Sequence, residues 1–190
     1  AACDVAHLGE PLKFLPYYAD LAESFEWTTP LGIADTVGGP AERWTEREPI
    51  GVVAAITPWN VPTQINLAKI APALAAGCTV ILKPAPQTPW SALALGRLVT
   101  EHTDIPPGVF NVISAANPAI GALLTEDPRV DMISFTGSTA TGKTIMRAAA
   151  QHVTKVFLEL GGKSAMILLD DLDDVSGPAM TAAFGTALVC

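Results

Sequence analysis

Concentrated positive charge is missing from this chain. Eleven Lys and Arg stand against 19 Asp and Glu, a net charge of −8 at pH 7, and no stretch gathers the cations into a patch. Neutralising a phosphate backbone needs such a patch, so nucleic acid is excluded as a partner. Cysteine is scarce: Cys3, Cys78 and Cys190 form no close-spaced pair, which excludes a disulfide framework and fits a reducing compartment. The three histidines, His7, His102 and His152, have no metal-ligand spacing, so no metal site is expected. No apolar run approaches the roughly 18 residues of a spanning helix, and the first residues lack the basic and apolar regions of a secretory leader. A soluble, cytoplasmic chain without a membrane partner is the expectation. Charged residues make up only 16% against 49% apolar, enough for a real core in 190 residues. The chain opens on Ala1 and stops at Cys190 inside an apolar helical pattern, so both ends read as cuts.

What is present is periodicity. Leu12, Phe14, Leu15, Tyr18, Leu21 and Phe25 form an irregular helical stripe broken by Pro11 and Pro16; its second half, Tyr17–Phe25, reads as the end of a helix. From Glu26 to Pro49, Pro30, Gly38, Gly39 and Pro40 destroy the period, which suggests a hairpin or a linker. Order begins at Ile50. Ile50–Ile56 is a continuous apolar run of the kind buried parallel strands show. Pro62 opens a helix to Ala76 that is apolar almost all round and ends before Gly77 at the left-handed cap position. Strand Cys78–Leu82 follows, then a helix from Thr88, as N-cap, and Pro89 to about His102. Strand Val109–Ile113, helix Pro118–Thr125, strand Val130–Phe135, helix Thr139–Gln151 and strand Val156–Leu160 complete the series. Strands alternating with helices imply crossover connections and a mostly parallel sheet of five strands, with ligands outside the carboxyl ends of the strands. Asn60, Lys83, Gly137 and Glu159 all fall at or just after such ends. Beyond Gly162, an apolar strand Ala165–Leu169, the acidic Asp170–Asp174 and a helix through Leu188 read as the start of a second α/β domain.

Four stretches carry candidate chemistry. Phe135–Lys143, FTGSTATGK, places a strand, a Gly-bearing turn and a helix N-terminus together, where free N–H groups and the helix dipole favour an anion. Its Gly137–Thr144 portion matches the phosphate-loop pattern G-x-x-x-x-G-K-[ST] letter for letter, so a nucleoside triphosphatase is one reading. Against it, that loop ordinarily follows the first strand of its fold, whereas three strand–helix units precede it here. TPWNVP, Thr57–Pro62, puts the Asn60 carboxamide where it either donates to a developing oxyanion or caps a helix. Lys83 in LKPAPQTP is either a ligand-facing cation or a solvated strand end. Glu159, before Gly161 and Gly162, ends an apolar strand and is either a general base or half of an ion pair.

TPWNVP, APALAAGCTVILKPAPQTP, FTGSTATGK and LELGGKS, in this order and at these separations, resemble the aldehyde dehydrogenase superfamily from about Glu46 to Asp174. The resemblance implies NAD- or NADP-dependent oxidation of an aldehyde through a Cys thioester, in a protein that forms homo-oligomers. It divides the chain into a partial N-terminal helix and hairpin or linker (1–48), a Rossmann-like dinucleotide-binding core (49–162) and the beginning of a catalytic domain (163–190). By the same resemblance Asn60 stabilises the oxyanion and Glu159 activates water. Lys83 contacts the adenosine ribose, and Ser138 with Gly137 forms the pyrophosphate turn. Thr57, Pro58 and Trp59 line the cofactor cleft, and the Leu160 carbonyl approaches the nicotinamide. Two positions depart from the pattern. Pro86 stands where many NAD-preferring members carry Glu, which leaves NADP as plausible as NAD. Cys190 follows TALV, not the Gly-Gln pair that precedes the family's nucleophile, so it reads as a neighbour of that residue. The remaining alternative is a non-catalytic fragment.

Overall fold

A computed structural model describes residues 8–162 and, beyond them, only 165, 167, 177, 178 and 181. Residues divide into two units, Ala1–Leu160 and Gly161–Cys190. The strand and helix expected after Gly162 fall mostly outside the described residues, as do Asp170 and Cys190.

The first unit begins with a helical turn, Glu10–Leu12, and helix α1, Phe14–Ser24. Pro16 does not break α1 because it lies in the first turn, where its missing N–H would have had no partner. Strands β1 (Thr28–Thr36) and β2 (Gly39–Glu46) then form an antiparallel hairpin with a register shift between Pro30 and Gly32. Of the two expectations for this stretch, the hairpin is correct.

Five parallel strands follow, in the order β5-β4-β3-β6-β7: β3 Val52–Ile56, β4 Thr79–Lys83, β5 Phe110–Val112, β6 Met132–Gly137 and β7 Lys155–Leu160. They alternate with helices α2 (Pro62–Ala75), α3 (Trp90–His102), α4 (Ala119–Glu126) and α5 (Thr139–Ala149). Central β3 is buried on both faces, which is why its sequence, VVAAI, is apolar without alternation. On one face Ala55, Val80 and Leu82 meet Leu67 and Ile70 of α2 and Ala92 of α3. On the other, Ala54, Ile133 and Phe135 meet Ile145 and Ala149 of α5. Gly77 has φ 78° just past the end of α2, the left-handed stop expected there. Gly51, at φ 115°, enters β3 so tightly against Asp131 that a Cβ would collide with its carboxylate, which accepts from the Val52 N–H at 2.7 Å.

Two expectations need correction. Thr88 does not cap α3. Pro89 occupies the cap position in a right-handed helical conformation, not the extended one in which a capping side chain reaches back. The Thr88 Oγ1 has no hydrogen-bond partner among the described residues. The apolar strand that carries Glu159 is not buried on both sides either: among the described residues β7 stands at the edge of the sheet, and Phe157 in its middle is 51% exposed.

Candidate active site

The expected site residues come from four connections at the carboxyl edge of the sheet. After β3, Thr57 is buried, its N–H donating to the Lys83 carbonyl at 3.2 Å and its hydroxyl to Asn66 Oδ1 at 2.7 Å. Pro58 is half-buried, whereas Trp59, 62% exposed, and Asn60 stand out on the turn into α2. Val61 holds the cap position of α2 without a side-chain bond. Asn60 therefore does not cap the helix, and its carboxamide makes no hydrogen bond among the described residues.

Lys83 ends β4 and is buried, with its Nζ donating to the Pro84 carbonyl at 3.2 Å. Burial pushes its ammonium below the usual lysine range. The side chain passes over Gly121, where a Cβ would sit 3.5 Å from Lys83 Cε, and lines a cavity of about 460 Å³ between α4 and α5. Pro86 lies exposed on the turn that follows.

Gly137 ends β6, and Ser138 caps α5, its Oγ accepting from the Thr141 N–H at 3.2 Å. The first amides of α5 have no carbonyl one turn earlier, so a helix terminus with free N–H groups faces the edge. Because α5 starts at Thr139, Gly142, Lys143 and Thr144 lie within the helix. No loop remains to wrap phosphates in the triphosphatase manner. Gly142 serves a different purpose: a Cβ there would lie 2.7 Å from Leu160 Cδ2, so it lets α5 settle onto β7.

Glu159 pairs in register with Thr136 and is exposed on the face opposite the Lys83 cavity. It lines a groove of about 610 Å³ with Ser134 and Phe157 of the sheet and Ile65 and Lys69 of α2. Leu160, next along β7, turns its side chain toward Gly142. The structure thus gathers Thr57, Lys83 and the β4–α3 turn at one place and Glu159 at another, with Gly137 and Leu160 paired between the two faces.

Sequence reasoning missed Lys69. It is buried, donates from Nζ to Ser134 Oγ at 2.9 Å, and lies 5.9 Å from the Phe157 ring centroid. Burial pulls its pKa from 10.5 down to about 8, while the Glu159 carboxylate pulls it back up. The signal was present as the one charged residue in the helix, between Ala68 and Ile70.

No group of three or more His, Cys, Asp or Glu among the described residues is placed to hold a metal, and no helix among them is long and apolar enough to cross a membrane. The barley (Hordeum vulgare) betaine aldehyde dehydrogenase is 44% identical over 98% of this chain and 37% of its own length. The Escherichia coli succinate-semialdehyde dehydrogenase [NADP(+)] GabD is 46% identical over 87% of the chain and 36% of its own. Among solved structures, a Staphylococcus aureus betaine aldehyde dehydrogenase in complex with NAD+ superposes with a TM-score of 0.83 at 37% identity, covering 96% of this chain and 34% of that one. The chain thus spans about a third of the length of these relatives. The family model described as "Aldehyde dehydrogenase family" matches residues 3–188, and with these likenesses it establishes that the chain belongs to the aldehyde dehydrogenase family.

Proposed function

We propose that this chain is the dinucleotide-binding part of an NAD(P)-dependent enzyme that oxidises an aldehyde to a carboxylic acid. The carrying observation is the division of labour at the sheet edge. A buried cation opens into a cavity between α4 and α5 on one face, and an exposed carboxylate lines a groove on the other. An extended dinucleotide laid across the rim would have its adenosine half beside Lys83 and its nicotinamide half toward Glu159 and Leu160. The residues fit such a ligand. The Lys83 cavity accommodates an adenosine, and the free amides at the start of α5, beside Gly137 and Ser138, suit its pyrophosphate. Thr57, Pro58 and Trp59 follow β3 beside the end of the Lys83 strand, to which the Thr57 N–H is bonded, and would offer the same ligand a further wall. When bound, the cofactor supplies the hydride acceptor.

Each of these residues then has a task set by its place. The Asn60 carboxamide is free to donate to the oxygen of a substrate carbonyl that gains negative charge. Glu159, exposed beside the groove, accepts a proton from a water that attacks the acyl group. Lys69 keeps a positive charge near that carboxylate. Pro86 presents no carboxylate to repel a 2′-phosphate or to accept from a 2′-hydroxyl, so the reading is NAD or NADP without strong preference. An aldehyde is the expected substrate, and a homo-oligomer the expected state of the enzyme. The absence of closely spaced cysteines in the sequence favours the cytoplasm; two plant relatives carry "peroxisomal" in their names, and cell fractionation distinguishes the two.

Calorimetric titration of the 190-residue chain with NAD and NADP tests the reading. Binding that weakens in Lys83→Met supports it, and an absence of binding of either cofactor defeats it. Because no Gly-Gln pair precedes Cys190, the chain alone is expected to show no rise at 340 nm with aldehydes and cofactor.

A further inference from the structure

Asn66 is a wholly buried carboxamide in the middle of α2, beside Leu67 and Ile70 of the core. Hydrophobic patterning alone would place an aliphatic side chain there, and a polar one at such a site is tolerated only when its hydrogen bonds are made. Both ends of the amide are engaged. Its Oδ1 accepts from the Thr57 hydroxyl at 2.7 Å, and its Nδ2 donates to Ser91 Oγ at 3.4 Å. Thr57 begins the loop that carries Trp59 and Asn60. Ser91 lies in the first turn of α3 and closes the segment that starts at Lys83 and contains Pro86. A direct backbone bond, Thr57 N–H to the Lys83 carbonyl at 3.2 Å, ties the same residue, Thr57, to the opposite end of the Lys83–Ser91 segment.

We infer that Asn66 is a positioning residue, whose buried amide fixes the spacing between the Thr57–Asn60 loop and the Lys83–Ser91 segment. Two separate ties make the segments one body: the backbone bond at the base and the Asn66 bridge behind it. Without the bridge the loop keeps its anchor but loses its orientation, because Trp59 and Asn60 are exposed and make no side-chain hydrogen bonds among the described residues. The catalytic meaning of this tie rests on the proposed cofactor reading; the tie itself does not.

The chain holds four tryptophans, so 5-fluorotryptophan labelling gives four fluorine lines, and Trp59→Phe identifies the one that reports on the loop. Asn66→Leu, which keeps the branched skeleton but is apolar, is expected to broaden or split the Trp59 line while the Trp27 and Trp44 lines stay sharp. The dissociation constant for NAD or NADP is expected to rise about tenfold, the scale of one lost buried tie. Thr57→Val is expected to reproduce the line change, Thr57→Ser to retain the wild-type line, and the double variant Thr57→Val/Asn66→Leu to add nothing further. Should Asn66→Leu fail to fold, Ser91→Ala cuts the far end of the same bridge at a half-buried position and is expected to give a smaller broadening. A Trp59 line at wild-type width in Asn66→Leu, or in both Thr57→Val and Ser91→Ala, overturns the inference. If the wild-type chain binds neither cofactor, the functional reading fails while the line-width comparison still decides the role of Asn66.

Discussion

The hairpin and the parallel sheet lie in one chain but are built on opposite terms. In the sheet, Ala54, Ala55, Val80, Leu82 and Ile133 are completely sealed between helices. In the hairpin, Ile33 is 75% and Trp44 56% exposed, and no residue of either strand is buried. The sheet is held by apolar surface removed from water. The hairpin is held by its own ladder and turn, and two strands alone are marginal in water. The proposed site residues all lie at the carboxyl edge of the sheet or in the turns that follow it, and none lies in the hairpin. The hairpin, with its unpaired edges and exposed side chains, suits contact with another surface, consistent with the proposed oligomer.

Substitutions can break that contrast or sharpen it, and urea unfolding of the chain measures each. The largest loss is expected from Ile133→Ala, about 3 kcal/mol, because a cavity opens in the centre of the sheet. Gly51→Ala should cost about 2 kcal/mol, since alanine resists φ 115° and its Cβ displaces the Asp131 carboxylate from the Val52 N–H. Next comes a pH effect. Between about pH 8 and 10.5 the unfolded chain holds a proton on Lys69 that the folded chain has released. Stability should therefore rise with pH across that window, and Lys69→Met should flatten the rise. A wild-type slope of zero there would mean that the Lys69 amine is not as enclosed as its contacts indicate. Val153 sits at φ 55° on an exposed turn, and Val153→Gly is expected to stabilise by about 0.5 kcal/mol. Smallest is Ile33→Thr in the hairpin, within about 0.5 kcal/mol of wild type; a loss comparable to that of Ile133→Ala would erase the distinction between the two regions.

Much of the sheet was legible in the sequence because burial on both faces writes itself as an uninterrupted apolar run, as in Val52–Ile56, and because Gly77 and Pro62 punctuate α2 by backbone geometry alone. Edges are harder to read. The apolar letters of Val156–Leu160 do not reveal that β7 stands at the edge among the described strands, since that depends on strand order and not on local composition. Thr88 was misread because its residue type and its place before Pro89 suit an N-cap, whereas whether its Oγ1 reaches an amide, which among the described residues it does not, is not written in the letters. For the proposed site, the sequence put Asn60, Lys83, Gly137 and Glu159 at or just after strand ends, and that is where they lie. Lys69 and Asn66 escaped because each has a partner on another element, Ser134 at 65 residues for Lys69 and Thr57 and Ser91 at 9 and 25 for Asn66, which a local pattern does not encode.

Gly142 and Leu160 have a mechanical consequence. Glu159 and Leu160 are consecutive on β7, so their side chains emerge from opposite faces, one toward the groove and the other against α5. A bulkier residue at 142 would lever the strand tip about its axis and swing the carboxylate on the far side. A disturbance on the α5 side of the sheet would then shift the Glu159 carboxylate on the opposite side, through the strand alone.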